Sequence, residues 1–264
     1  MQKKTLFYLN GFTVDFFLEK FNLAIKIDDI VTRNSGKAFF GLTKIEDNTP
    51  FLEWEKTNEL GIRVLHAYET EIFNPNKWNV FKNMITYSCN LSKRIFARNT
   101  KVVIKKAIDM KPMFLANNIQ GYRTARTAFV LIDKHAEEPL MCYTVGHSFF
   151  GKGAYDAEIA RGCCVTNYHD SGLGIQVIGG ASKLWKAILT HYSEQKLDGT
   201  PGQINSIVYY TDSRYYDGRS IKHLMDSSAL PGHVETLKKT PSFMNYWTEL
   251  GVTKNREPAR HSFI

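Results

Sequence analysis

The sequence predicts an α+β protein, a small α/β module followed by a mixed sheet with flanking helices. Three observations predict it. Strand-like segments rich in β-branched and aromatic residues alternate with segments whose apolar residues recur at helical spacing. Residues 1–92 read strand, strand, helix, strand, helix, whereas residues 93–264 read as consecutive strands and then a strand–turn–helix–strand unit. The 264 residues, 43% apolar, suffice for one large domain or two small ones. A short linker over 90–93 sets the expected boundary at 92/93.

In order, "FTVDFFLEKFNLAIKI" gives strands over 12–18 and 23–27, with a turn at Glu19-Lys20. "RNSGK" (33–37) is a loop. Thr49 followed by Pro50 starts a helix over 49–60, which Gly61 ends. "IRVLHAYE" (62–69) is a buried strand. Asn74-Pro75 opens a helix over 74–91, with Trp78, Phe81, Met84 and Ile85 at helical spacing. A strand over 101–108 and a short helix over 112–122 follow. Strands are expected over 127–133, 140–148, 155–165 and 204–212, a helix over 182–192, and a last strand within 241–251.

No apolar run is long enough to span a bilayer, and "MQKKTLFYLNGF" reads as mature protein rather than a signal peptide. Cys89, Cys142, Cys163 and Cys164 form no CxxC pair, and the adjacent Cys163 and Cys164 point to opposite faces of a strand. Reduced thiols in a cytoplasm are expected, and a zinc site is not. The formal net charge is +8, which suits a polyanionic partner and equally a merely basic protein. Tyrosines interleaved with arginines over 209–219 tilt the reading toward nucleic acid.

Within "IQVIGGASKLW", Gly179, Gly180, Ala181 and Ser182 follow a strand and lead into a helix. Free N–H groups at a helix N-terminus bind phosphate or pyrophosphate; the bland alternative is a tight turn that lets helix and sheet pack closely. The run from Gln176 to Ala181 fits Q/R-x-x-G-x-G/A and so resembles the acyl-CoA pyrophosphate loop of the GNAT acyltransferase superfamily. Six further pieces widen the likeness: "RIFARNTKVVIK", "FLANNIQG", "AEIARGC", "IVYYTDSRYYDGRS", "NYWT" and "RHSF". With the glycine turn they make the segment from about Arg94 to Phe263 resemble a GNAT-like module of phage proteins that accompany homing-endonuclease-type nucleases. It is similar to the Mom-type DNA adenine modification proteins.

The resemblance implies a group transferase acting on double-stranded DNA with an acyl-CoA-type donor, in the host cytoplasm if phage-encoded. It implies donor contacts by Gln176, Gly179, Gly180, Ala181, Ser182 and Lys183, and a carboxylate at Asp212 that acts as base or orients an amine. Arg214, Tyr215, Arg219 and Arg161 are the expected nucleic-acid contacts. The family's tyrosine slot after the next glycine holds Ile221, which leaves Tyr209, Tyr210 or Tyr216 as general acid; Tyr210 and Tyr216 are taken forward with Asp212. Asn118 stands where the family carries histidine. Glu158 and Arg161, three apart in a strand, are expected on opposite faces, one facing the cleft or both in surface ion pairs.

Residues 1–92 resemble a Vsr-like or PD-(D/E)xK nuclease core, carried by "VDFFLEKFNLAIKIDD" and "WEKTNELGIRVLHAYETE". Asp15 matches the first aspartate and Lys56 the helix lysine. Lys26 stands in the glutamate position, Asp29 in the glycine position, and 32–34 offer no histidine. A lysine in place of a metal-binding carboxylate implies a degenerate module that binds DNA or protein without cleaving. Two functions therefore stand: a Mom-like transferase, or a degenerate homing-endonuclease-derived DNA-binding protein.

Overall fold

The computed structural model describes residues 7–28, 49–148, 155–170, 172–212, 215 and 260–263, without the side chains of 49–52, 55, 170, 210–212 and 260–263. The fold is α+β, with several sheets and few helices among the described residues. Two compact units divide the chain at Pro75 and again at Tyr210.

The smaller unit begins with a hairpin of β1 (Phe7–Leu9) and β2 (Phe12–Val14). Its two-residue loop is Asn10-Gly11, with φ of 40° and 95°. Positive φ at both positions is what a type I′ turn requires, and Asn-Gly supplies it. β3 (Phe16–Leu18) pairs antiparallel with β4 (Leu23–Asp28), and β4 pairs parallel with β5 (Arg63–Tyr68). The single strand expected over 12–18 is thus two strands broken at Asp15, whose Oδ2 accepts the Ile27 N–H at 2.7 Å. Helix α1 (Thr49–Asn58) precedes β5, and a short α2 (Glu69–Phe73) follows it. Phe12, Val14, Ala24 and Val64 form the core here.

Helix α3 (Pro75–Ser88) packs with the larger unit, where Asn83 Nδ2 donates to the Thr166 carbonyl at 2.7 Å. This division lies ahead of the 92/93 boundary read from sequence. The supposed linker leads straight into β6 (Lys93–Phe96), paired parallel with β11 (Ile175–Ile178). The six-stranded sheet runs β13 (Arg260–Phe263), β12 (Ile207–Asp212), β10 (Ala157–Cys164), β9 (Pro139–Gly146), β8 (Thr127–Asp133), β7 (Thr100–Lys106). The last strand expected within 241–251 falls outside the described residues.

Pleating sends alternate residues to the two faces of this sheet. On one face Phe129, Leu131, Tyr143, Val145 and Ile159 pack under α5 (Gly180–Tyr192) through Leu184, Trp185 and Ile188. On the other, Ala128, Val130, Cys142 and Cys163 pack under α4 (Lys111–Asn117) through Met113 and Phe114. Cys163 thus serves one face while Cys164 packs against the other, as alternation demands. All four cysteines are free.

Candidate functional site

β10 and β12 lie parallel with register Ala157↔Ile207, Glu158↔Val208, Ile159↔Tyr209. Past that point β10 runs on to Cys164 and β12 to Asp212, and a β-bulge lies between Ile159 and Arg161 in the β9–β10 pairing. A bulge inserts one residue into its strand and bends it there.

The bulge also sets which side chains meet. Glu158 pairs with Gly146 and Arg161 with Thr144, two positions of β9 that share a face. Glu158 and Arg161 therefore lie on one face, not on opposite faces as simple alternation required. Nor is Glu158 a surface residue: it is 1% exposed, and Arg123 donates to it through both terminal guanidinium nitrogens, Nη1 to Oε1 and Nη2 to Oε2 at 3.1 Å. Arg161 is half-buried, and its Nη1 donates to the Ala160 carbonyl at 2.9 Å. Asn118 ends α4 and donates through Nδ2 to the Gly162 carbonyl at 2.9 Å, bracing β10 just past the bulge.

On the α5 face the same spot is lined by phenols. A Cβ on Gly162 would stand 2.5 Å from Tyr143 Cε1 and 3.2 Å from the Tyr209 hydroxyl. Glycine here leaves the space those rings occupy, their centroids 6.1 Å apart. Tyr209, opposite Ile159 of β10, thus places its hydroxyl beside Gly162, just past the bulge.

β11 ends at Ile178, and the chain turns through Gly179 into α5. Gly179 has φ of 75°, a conformation side chains with a Cβ disfavour. Gly180 is buried, and a Cβ on it would come within 2.9 Å of Met141 Sδ and of Val177. The two glycines are thereby accounted for by the turn and by close helix–sheet packing. What packing leaves over is the backbone. The first intrahelical bond runs from Lys183 N to Gly179 O, and no side chain caps the helix. The N–H groups of Gly180, Ala181 and Ser182 thus have no acceptor within the helix. Gly179 and Ser182 are exposed, and Gln176 and Ala181 half-buried. Lys183 sits beside the turn, with its ammonium directed to the Ala97 carbonyl at 2.8 Å and to the Thr100 carbonyl and hydroxyl. Three acceptors use its three protons, and burial, aided by the Lys134 charge, pulls its pKa below the ordinary lysine value.

Of the other expected site residues, Asp212 ends β12 and Tyr210 lies within it, their side chains outside the described atoms. Arg214, Tyr216 and Arg219 lie outside the described residues. Tyr215 is only 3% exposed, and its hydroxyl donates to Glu71 Oε2 at 2.8 Å. Its ring is interior to the smaller unit, which sets it apart from an open nucleic-acid contact.

Sequence reasoning missed a buried charged cluster in the smaller unit. Lys26 and His66 are parallel neighbours on β4 and β5. Lys26 Nζ pairs with Glu53 Oε1 from α1, Glu53 Oε2 lies 3.4 Å from His66 Nε2, and His66 Nδ1 lies 2.9 Å from Asp28 Oδ2. The signal was Lys26 and Asp28 alternating within an apolar strand, opposite a lone histidine in "RVLHAY". Lys26 fills this cluster with an ammonium, and Asp15 is spent on the Ile27 backbone. Lys56 is exposed. Among the described residues no group of three or more His, Cys, Asp or Glu is arranged to hold a metal ion.

Compared with protein-family models, curated proteins and solved structures, the chain matches none. Among the described residues no helix is long and apolar enough to cross a membrane.

Proposed function

We propose that the chain is a GNAT-like, Mom-type group transferase that modifies a base of double-stranded DNA, phage-encoded and acting in the host cytoplasm. The observation that carries this reading is the exposed, uncapped N-terminus of α5, with the Tyr209 hydroxyl beside Gly162 in the same unit. An acyl-CoA-type donor supplies a thioester whose carbonyl accepts an amine. The exposed turn fits the anionic part of such a donor: the N–H groups of Gly180, Ala181 and Ser182 and the positive end of the helix dipole favour negative charge there. The Lys183 ammonium adds a fixed positive charge beside it. Trp185 and Tyr168 pack in the core and leave Gly179 and Ser182 uncovered, as a donor site requires.

Tyr209 holds a proton at its Oη beside Gly162 and takes the general-acid role left vacant by Ile221. Asp212, at the end of the same strand, takes the base or amine-orienting role that the resemblance assigns to it. Arg123 fixes Glu158 on the opposite face of β10 and keeps that end of the strand rigid. The net charge of +8 favours a polyanionic substrate. The test is thiol release from acetyl-CoA in the presence of duplex DNA. Release that needs DNA and falls in Tyr209→Phe supports the reading; no release with any duplex counts against acyl transfer.

The second reading, a catalytically degenerate DNA-binding protein, is favoured for the smaller unit by the Lys26–Glu53 pair. Lys26, in the glutamate position of the resemblance, puts a cation where a magnesium ion would need a carboxylate, and Glu53 is engaged with it. On this reading the smaller unit grips DNA and leaves chemistry to the larger.

A further inference from the structure

The larger unit carries a trough between the edge strand β7 and the C-terminal half of α5, away from the Gly179 turn. α5 has 13 residues, so the two ends lie about 20 Å apart along its axis. Two adjoining depressions of about 760 and 400 Å³ share Ile104, His191, Gln195 and Gly199 and make one open trough. Four cations line the second depression: Lys105 and Lys106 from β7, Arg126 from the approach to β8, and Lys196 from the turn after α5. No carboxylate lines it. All four side chains are exposed. Among the described residues, Lys105, Lys106 and Lys196 have no ion-pair partner within salt-bridge distance. Asp198 adjoins them: its carbonyl accepts from Arg126 Nη2 at 3.0 Å, its carboxylate accepts from the Thr200 hydroxyl and N–H, and the charges of Arg126 and Lys196 help those bonds to lower its pKa. Glu194 lines only the first depression.

Lysines on an edge strand have an ordinary role, which is to keep other strands from pairing with it. That role explains Lys105 and Lys106. It does not explain Arg126 and Lys196, which reach the same trough from two other elements. Three elements converge with four cations, which outnumber the neighbouring carboxylates of Asp198 and Glu194, and the surplus suits a polyanion. An open trough suits a chain lying along the surface rather than a small molecule enclosed on all sides. The trough also offers no exposed aromatic ring: Tyr192 is 2% exposed, and His191 is half-buried with its ring edge-on to Phe129. Single-stranded nucleic acid is held largely by stacking on such rings, so the ligand these residues suit is a phosphate backbone. We propose that this trough holds the sugar–phosphate backbone of duplex DNA without regard to sequence, as a contact separate from the transfer site.

The test is duplex affinity as a function of salt for the full chain carrying Lys105→Gln, Lys106→Gln and Lys196→Gln together. The comparison is a second triple of equal charge change, Lys20→Gln, Lys82→Gln and Lys101→Gln. Each phosphate contact contributes about 0.9 to the slope of log K against log salt. The trough triple is expected to lower that slope by about 2 to 3 and to weaken binding at least tenfold, equally for unrelated sequences. The comparison triple is expected to move it far less, and thermal melts are expected to match wild type for both. Equal losses in the two triples would reduce the effect to bulk charge and overturn the proposal. So would unchanged duplex binding alongside lost binding of poly-glutamate, which would assign the trough to an acidic protein. Acetyl-CoA binding by the trough triple should equal wild type, so a failed transferase reading and a failed trough are separable.

Discussion

Ser182 separates holding a helix from holding an anion. It is exposed, in the first turn of α5, and no side chain caps that helix. A glutamate at this position suits the helix dipole and can reach back to the cap, worth about 0.3–1 kcal/mol. The same charge repels a pyrophosphate. Ser182→Glu is therefore expected to melt no lower than wild type while acetyl-CoA affinity, by calorimetry, falls at least tenfold. Unchanged affinity would detach the turn from donor binding. Gly179 is a poorer probe, because φ of 75° strains any side chain placed there and mixes folding with binding. Tyr209→Phe removes only a hydroxyl. DNA-dependent thiol release is expected to fall about 10²-fold with duplex affinity kept. The buried thiols are not part of this chemistry. Burial pushes the Cys142 pKa up to about 12 and that of Cys163 well above the ordinary range. Both are then thiols at neutral pH, and neither should react with a thiol reagent until the chain unfolds.

At the scale of elements, the α5–sheet contact and the β8–β9 connection carry testable stability. Gly180→Ala puts a methyl within 2.9 Å of Met141 and Val177, so helix or strand must shift. Overpacking of this kind costs about 1–3 kcal/mol, measurable by denaturant unfolding. In the β8–β9 connection, Asp133 Oδ1 accepts the N–H of His135 at 2.7 Å and of Ala136 at 3.1 Å. These bonds hold the Asp133 pKa below the ordinary value. A depressed carboxylate pKa contributes stability that is present above the unfolded value and lost as pH falls through the folded one. The unfolding midpoint of wild type is expected to exceed that of Asp133→Asn at neutral pH, with the gap closing below about pH 4. A gap constant down to pH 2 would mean the carboxylate charge plays no part. The elements were largely legible in the sequence: β5, β8 and α5 follow directly from apolar period and punctuation. The exceptions have local causes. The hairpin at Asn10-Gly11 went unread from the sequence, because β1 is too short to carry a periodic signal. β6 pairs with β11, distant in sequence, so nothing within "KRIF" alone marks it as a strand. The bulge at Ala160 shifts every later side chain of β10 by one face, and no residue type there signals it.

For the whole molecule, the chemistry-bearing residues were partly legible. The glycine turn was visible, but the reason for each glycine required the neighbours Met141 and Val177, which come from other strands. Lys183 was read as an anion contact. The fold spends its protons on Ala97 and Thr100 because the turn over 97–99 lies against α5. The Lys26, Glu53, His66 and Asp28 cluster draws on three elements and could not be assembled from spacing. The place of the Tyr209 hydroxyl beside Gly162 follows from the pairing of β12 with β10, visible only once the sheet is built.

Modification of a DNA base is the activity on which the proposed function turns. The direct measurement is mass spectrometry of nucleosides from DNA of cells expressing the protein, beside cells expressing Asp212→Asn. A transferase is expected to leave a new mass on one base, absent with the variant although the variant still binds DNA. Unmodified nucleosides in both, with tight salt-sensitive binding of duplex DNA, would contradict it and leave a DNA-binding protein.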